Sequence, residues 1–274
     1  MTHDPALEFD GIEVIARKAG RDGRRRAPLL FLHGAFAGAW CWDEHFLSWF
    51  AGRGYDCYAL SYRGHGESNG HQDLHELGIA DFVQDVRSVV DRLQIQPVLV
   101  GHSMGGFIAM EYLMRRSAAG LALMASVPPS GLLGPSMSLT LWQPLLAWEI
   151  MLIQQAGPTV ATPEGMHRAL FSRETPDDHG IHHYGRMGNE SRQATLDMHD
   201  ARRIDVSRID DGLPVLVLGA EDDGLIGRAY VRATAAAFGE KAKILPRTGH
   251  GIMLDSHWEM AAEQLLFWLR RNGF

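Results

Sequence analysis

Gly101-His102-Ser103-Met104-Gly105 is the segment whose residue types and spacing point most directly to chemistry. It fits G-x-S-x-G; an apolar run precedes it and a helical pattern follows, so Ser103 is expected on a sharp strand-to-helix turn with its hydroxyl presented. Gly101, Gly105 and Gly106 let strand and helix approach closely there. A serine hydroxyl alone is a weak nucleophile and needs a base within hydrogen-bond reach. Among 14 histidines, His250 is the candidate, because it follows the last predicted strand in Thr248-Gly249-His250-Gly251, where flanking glycines allow an unusual backbone path and an exposed imidazole. An acidic loop, Gly219-Ala220-Glu221-Asp222-Asp223-Gly224, follows the preceding predicted strand. A carboxylate there can accept the second imidazole proton, fixing the tautomer and stabilising the imidazolium formed during attack. Asp222 is the expected partner, with Asp223 and Glu221 as alternatives in the same loop.

The elements that must position these groups follow from hydrophobic pattern. Short apolar runs at 28–32, 55–62, 97–101, 120–127, 214–218 and 242–245 read as strands buried on both faces. They alternate with helical patterns at 42–52, 104–116, 227–238 and 257–271. A further helix is marked by Ile79, Phe82, Val83, Val86, Val89, Val90 and Leu93 at helical spacing. This alternation implies an α/β fold, a mostly parallel twisted sheet flanked by helices. It fails between Pro128 and Asp211, where Pro, Gly, Met and His accumulate. The expected organisation is a core of 1–127 and 212–274 with an inserted helical cap at 128–211.

A tetrahedral intermediate of acyl transfer needs preorganised N–H donors. One is expected from Met104, after the serine, and one from the long loop His33-Gly34-Ala35-Phe36 after the first predicted strand. The nucleophile turn, the acidic loop and the histidine loop, in the order Ser103, Asp222, His250, resemble the α/β-hydrolase family of serine hydrolases over nearly the whole chain outside the cap. The resemblance implies an acid a few residues past the strand-end Gly219, which favours Asp222 over Asp223, and it supports Ala35 as the second donor ahead of Phe36. It also covers Ser61-Tyr62-Arg63-Gly64-His65-Gly66-Glu67-Ser68, which is given a structural role with Arg63 tying down the loop. His33 is expected to order its loop and His102 to pack in the fold.

Substrate choice is expected in the cap. Leu141, Trp142, Leu145, Leu146, Trp148, Met151, Leu152 and Ile153 imply a helix starting near Pro144 and apolar almost all round, which calls for burial on more than one side. Phe36, Trp142, Leu145 and Met151 are the expected substrate contacts, with Met137, Met151 and Met166 suited to an adaptable apolar site. Asp178, His179, His182 and His183 invite a metal reading, but they lack a recognised ligand spacing and are read as a solvated or hydrogen-bonded cap face; no metal and no cofactor are expected.

The 274 residues are 46% apolar and 22% charged, which excludes disordered, collagenous and coiled-coil classes. Twenty-six Lys and Arg against 33 Asp and Glu give a net charge of −7, unsuited to a nucleic-acid partner. Arg21, Arg24, Arg25 and Arg26 are read as a solvated hairpin tip, and Cys41 and Cys57 as core thiols. The N-terminal residues carry no secretory pattern, and the apolar stretch 132–153 is broken by Gly134, Pro135, Gln143 and Pro144, so no membrane span and a cytoplasmic location are expected. The expected activity is hydrolysis of carboxylic esters or related acyl compounds of a small apolar substrate through an acyl-serine. The alternatives are C–C bond or cyanohydrin chemistry with the same three residues, and a ligand receptor on a hydrolase scaffold.

Overall fold

The computed structural model describes residue 9, residues 11–20 and residues 26–274. Its strands are β1 (Val14–Arg17), β2 (Leu29–Leu32), β3 (Cys57–Leu60), β4 (Val98–His102), β5 (Gly120–Met124), β6 (Val215–Ala220) and β7 (Lys243–Leu245). They form one sheet in the order β1-β3-β2-β4-β5-β6-β7, parallel throughout except for β1 on β3. The six expected strands are present. β1 is the unpredicted addition, a half-buried edge strand whose four residues lack the unbroken burial of the central ones. The connection carrying Arg26 joins β1 to β2, which are not paired with each other, and the expected hairpin tip falls mostly outside the described residues. Arg21, Arg24 and Arg25 lie outside the described residues; Arg26 donates to the Arg53 carbonyl.

Why such short strands hold the sheet is clear in β2. Leu29 and Phe31 point into one core and Leu30 and Leu32 into the other, all four fully buried, so a consecutive apolar run rather than an alternating one is required. The helices are α1 (Trp40–Asp43), α2 (Phe46–Ala51), α3 (Ile79–Val90), α4 (Met104–Leu113), α5 (Leu133–Trp142), α6 (Pro144–Ala156), α7 (Pro163–Leu170), α8 (Asp177–Tyr184), α9 (Arg192–His199), α10 (Arg228–Ala237) and α11 (Trp258–Arg271). One core takes α1, α2 and α11 through Trp42, Phe46, Phe50, Leu265 and Leu269. The other takes α3, α4 and α10 through Phe82, Val86, Phe107, Ile108 and Val231. The single helix expected over 42–52 is two pieces, separated at Glu44 and at His45, which leaves helical geometry.

Between β5 and β6 the chain makes α5 to α9 and, among the described residues, no strand. Thr162 and Ser191 cap α7 and α9 by accepting the N–H of Gly165 and Ala194, and Pro144 opens α6. This insertion is tied to the core by buried polar contacts. Arg203 grips Glu111 of α4 with Nη2 3.1 Å from Oε1, and the Asp255 carboxylate accepts the Ser172 N–H at 2.8 Å. No helix among the described residues is long and apolar enough to cross a membrane.

The chain runs from β2 to β3 on one side and then places β4 on the other side of β2. The loops leaving adjacent β2 and β4 therefore diverge and open a crevice at the carboxyl ends of the strands, where ligands bind in open α/β sheets. The loop 33–38 and Ser103 both emerge there.

Candidate active site

β4 runs without a break through His102 into α4, and Ser103 takes up the change of direction at φ 50°, ψ −119°. A non-glycine residue in that region is strained and is held only by its surroundings. Here the Ser103 N–H donates to Met124 and its carbonyl accepts from Val127, locking the turn to the end of β5. Glycine is required around it: a side chain at Gly105 would lie 2.3 Å from the Leu32 carbonyl oxygen, and one at Gly101 2.6 Å from the Gly105 carbonyl oxygen. The strand-to-helix turn expected from G-x-S-x-G is the structure observed.

His250 lies beyond β7 and is 2% exposed, buried under the insertion rather than exposed as expected. Its flanking glycines serve close approach, not an unusual backbone path. A side chain at Gly249 would lie 2.4 Å from the Phe171 carbonyl carbon, and the Gly251 N–H donates to the Leu170 carbonyl at 2.6 Å. The His250 Nδ1 lies 3.0 and 2.9 Å from Oδ1 and Oδ2 of Asp223. This corrects the expected partner, Asp222. The Glu221 and Asp222 N–H groups continue the strand by donating to Leu245 and Thr248, and the chain then turns so that Asp223 faces the imidazole. Asp223 Oδ1 also accepts the N–H groups of Leu225 and Ile226, each at 2.8 Å. The Glu221 carboxylate instead faces Arg228 and the Arg247 N–H.

His102 is buried beside His250, and its Nε2 donates to the His250 carbonyl at 2.9 Å. Burial, reinforced by His250, lowers its pKa to about 3, so the ring is neutral. It thus packs in the fold as expected and carries the histidine loop.

The loop after β2 passes directly over the serine turn: a side chain on Gly34 would lie 3.0 Å from Ser103 Cβ. His33 is fully buried; burial and the neighbouring His65 hold it well below the ordinary imidazole range. In this neutral state its Nδ1 donates to the Gly34 carbonyl at 2.7 Å, and its Nε2 accepts the Tyr62 N–H at 3.2 Å. His33 orders its loop as expected. The Phe36 N–H donates to Glu190 at 3.1 Å and is therefore occupied. Among the described residues the N–H groups of Ala35 and Met104 have no acceptor within the chain. Met104 opens α4, where N–H groups lack helical partners and the helix dipole favours negative charge.

Ser103, Met104, Ala35, Phe36, His102 and His250 all line a mainly apolar cavity of about 150 Å³. Its walls come from the insertion: Pro135 and Leu139 of α5, Ile150 and Ile153 of α6, Met166 and Ala169 of α7, and Met187 and Met198. Of the four expected substrate contacts only Phe36 lines it. Trp142, Leu145 and Met151 are 76%, 72% and 37% exposed and belong to the outer surface. The reason is helical phase. Leu146, Ile150 and Ile153 share the inward face of α6, while Leu145, Trp148 and Met151 fall outside, so this helix is buried on one side only. Of the expected methionines, Met166 lines the cavity and Met137 is exposed.

Elsewhere, Arg63 grips buried Asp85 through Nε at 2.8 Å and Nη2 at 2.6 Å, and so ties its loop to α3. Cys41 and Cys57 are buried free thiols, and burial pushes both well above the ordinary thiol range. His182 and His183 bring ring nitrogens within 4.8 Å of each other and of a Glu44 oxygen. That carboxylate also pairs with Arg186 at 3.2 Å, and His183 is buried and stacks on Trp40.

The chain is 30% identical over 125 residues to a monoacylglycerol lipase of Mycolicibacterium smegmatis, covering 43% of each chain. It is 33% identical over 125 residues to a bifunctional esterase/perhydrolase of Acinetobacter calcoaceticus, covering 44% of this chain and 43% of that protein. The chain thus spans less than half the length of the curated relatives it matches. Among solved structures, an esterase from Exiguobacterium antarcticum superposes with a TM-score of 0.74 at 20% identity, covering 94% of this chain and 95% of that one. Residues 29–264 match the alpha/beta hydrolase family, so the sheet, the strand-to-helix serine turn and the histidine loop are those of a chain that belongs to that family.

Proposed function

We propose that the protein is a serine hydrolase that cleaves carboxylic esters of a small apolar substrate through an acyl-serine. The observation that carries this reading is that His250, paired with buried Asp223, lines the same apolar cavity as the strained Ser103. The relatives whose names include lipase and esterase support it.

In this mechanism the His250 Nε2 takes the hydroxyl proton as Ser103 Oγ attacks the acyl carbon. Asp223 holds Nδ1–H and stabilises the imidazolium. The carbonyl electron pair moves onto oxygen, which receives the N–H groups of Ala35 and Met104. As the intermediate collapses, the alcohol departs with the proton from His250. Water then loses a proton to His250 and attacks the acyl-serine, releasing the carboxylate and restoring Ser103. Side chains and backbone amides supply every group required. The insertion acts as a cap, its inward apolar face receiving the acyl or alcohol portion.

Ser103→Ala tests the scheme. Turnover of p-nitrophenyl esters is expected to fall at least about a thousandfold, and fluorophosphonate labelling to disappear. A Ser103→Ala protein with full esterase activity would sink the reading. A vinylogous diketone and a cyanohydrin in the same panel test the C–C alternatives, and a protein that binds but turns over none of these would be the receptor.

A further inference from the structure

A peptide unit is planar and trans, so the carbonyl of one residue and the N–H of the next point in opposite directions. Pinning a carbonyl therefore aims the following N–H. Three consecutive peptides after β2 are pinned in this way. The Gly34 carbonyl, which shares a plane with the Ala35 N–H, accepts from His33. The next plane is held through the Phe36 N–H by Glu190 Oε2 at 3.1 Å, and the third through the Phe36 carbonyl by the Gly188 N–H at 2.9 Å. Phe36 itself sits at φ 63°, a strained position for a residue with a side chain.

Two of these three contacts come from the insertion, and one of them is made by Glu190 through its carboxylate. It is 4% exposed, and its Oε2 also accepts from His65 Nε2 at 3.2 Å, while its Oε1 accepts the Ser191 N–H at 2.6 Å. His65 Nδ1 donates to the Arg63 carbonyl, so both ring nitrogens donate and the ring carries a proton on each. Burial opposes that charge, but Glu190, the Arg63 carbonyl and Asp85 outweigh it and raise the His65 pKa. The His65 ring lies 5.1 Å from that of His33 and helps to keep His33 neutral, the state in which it can donate to Gly34 and accept from Tyr62. A buried ion pair contributes little to net stability against apolar substitutes, so its stability alone does not account for one placed here.

We propose that Glu190, with His65 as its counter-charge, is a positioning residue that latches the insertion onto the loop 34–36 and aims the Ala35 N–H at the developing oxyanion. The role rests on the acyl-serine reading above. It makes the cap part of the catalytic geometry as well as a cover for the substrate.

The test compares Glu190→Gln, Glu190→Asp and Ser191→Ala in the full-length protein, with Ser103→Ala in parallel. The readouts are kcat and KM for a short p-nitrophenyl ester, affinity for an aryl trifluoromethyl ketone, and melting temperature. The ketone forms a tetrahedral adduct with the serine and reports on oxyanion binding. Glu190→Gln is expected to lower kcat about 10- to 100-fold, with KM changed less than threefold and the ketone weakened in proportion to kcat/KM. Should Glu190→Gln be recovered unfolded, Glu190→Asp carries the test: it keeps a charge for His65 but withdraws the carboxylate from Phe36, and a smaller loss of the same kind is expected. Ser191→Ala removes the α9 cap and the contact with Leu77 and should lower the melting temperature while leaving kcat and ketone affinity unchanged. Unchanged kcat and ketone affinity in a folded Glu190 variant, with Ser103→Ala inactive, would overturn the latch alone. So would equal kinetic losses in Ser191→Ala, which would reduce the effect to general destabilisation. Activity retained in Ser103→Ala would overturn the underlying reading and the latch with it.

Discussion

Asp223 meets the His250 Nδ1–H with both carboxylate oxygens and takes two backbone N–H groups of its own loop on Oδ1, at 1% side-chain exposure. Such a carboxylate is fixed in place before substrate arrives. Its neighbour Asp222 is part of the loop's backbone ladder and lacks that role. Asp223→Asn is therefore expected to lower kcat by about 10³- to 10⁴-fold, since an amide no longer favours the productive tautomer, while Asp222→Asn stays within threefold; steady-state ester hydrolysis separates the two. Equal losses in both variants would refute the assignment. Ser103, Met104 and His250 are legible as candidates from residue type and loop context, and Ala35 through the family resemblance, because the turn and the loops around them are local. The choice between two adjacent aspartates is not. Strand alternation tells which residues face opposite ways, but where a strand ends and its loop turns back depends on the β7 loop packed beside it. Glu190 had no local signal beyond its place just before the α9 cap, since its partners Phe36 and His65 are 154 and 125 residues away.

At the scale of elements, α5 and α6 separate an inward face that lines the cavity from an outward face that does not. Leu139, Ile150 and Ile153 face in; Leu141, Trp142, Leu145 and Trp148 face out. A sequence this apolar on nearly every side gives no periodic contrast from which to read the buried face, which is why the expected contacts Trp142, Leu145 and Met151 lie outside the cavity. The consequence is testable by chain-length profiling across p-nitrophenyl esters. Ile153→Trp should fill the cavity and shift preference toward shorter acyl chains by at least tenfold in relative kcat/KM. Trp148→Gln should leave the profile unchanged. The reverse pattern would mean that the substrate enters elsewhere.

For the whole molecule, three buried histidines around the crevice couple stability to pH with opposite signs. His33 and His102 are neutral by burial, with folded pKa values below the ordinary 6.5. Their contribution is intact above pH 6.5 and is lost as pH falls toward the folded values, about 3 for His102. His65 is raised, so its contribution is complete below pH 6.5 and is lost as pH rises through its folded value. Between about pH 6.5 and 4 the first two act in the same direction, and His102 removes up to about 1.4 kcal/mol per pH unit there. Urea midpoints should fall over this interval, and the slope should be shallower in His102→Gln. A His102→Gln protein with the same pH slope as the parent would exclude His102 as one of the groups responsible.

Patterning by itself determined the alternating strands and helices, the serine turn with its glycines, and the general place of the histidine and the acid. All of these depend on contacts within a few residues or on the burial of short apolar runs. Only the tertiary structure decided that Asp223 meets His250, that the inward rather than the aromatic face of α6 lines the cavity, and that Glu190 reaches the loop after β2. Each of these depends on segments far apart in the chain meeting in a crowded space, where one turn's direction or one helix's rotation selects which neighbouring side chain makes the contact.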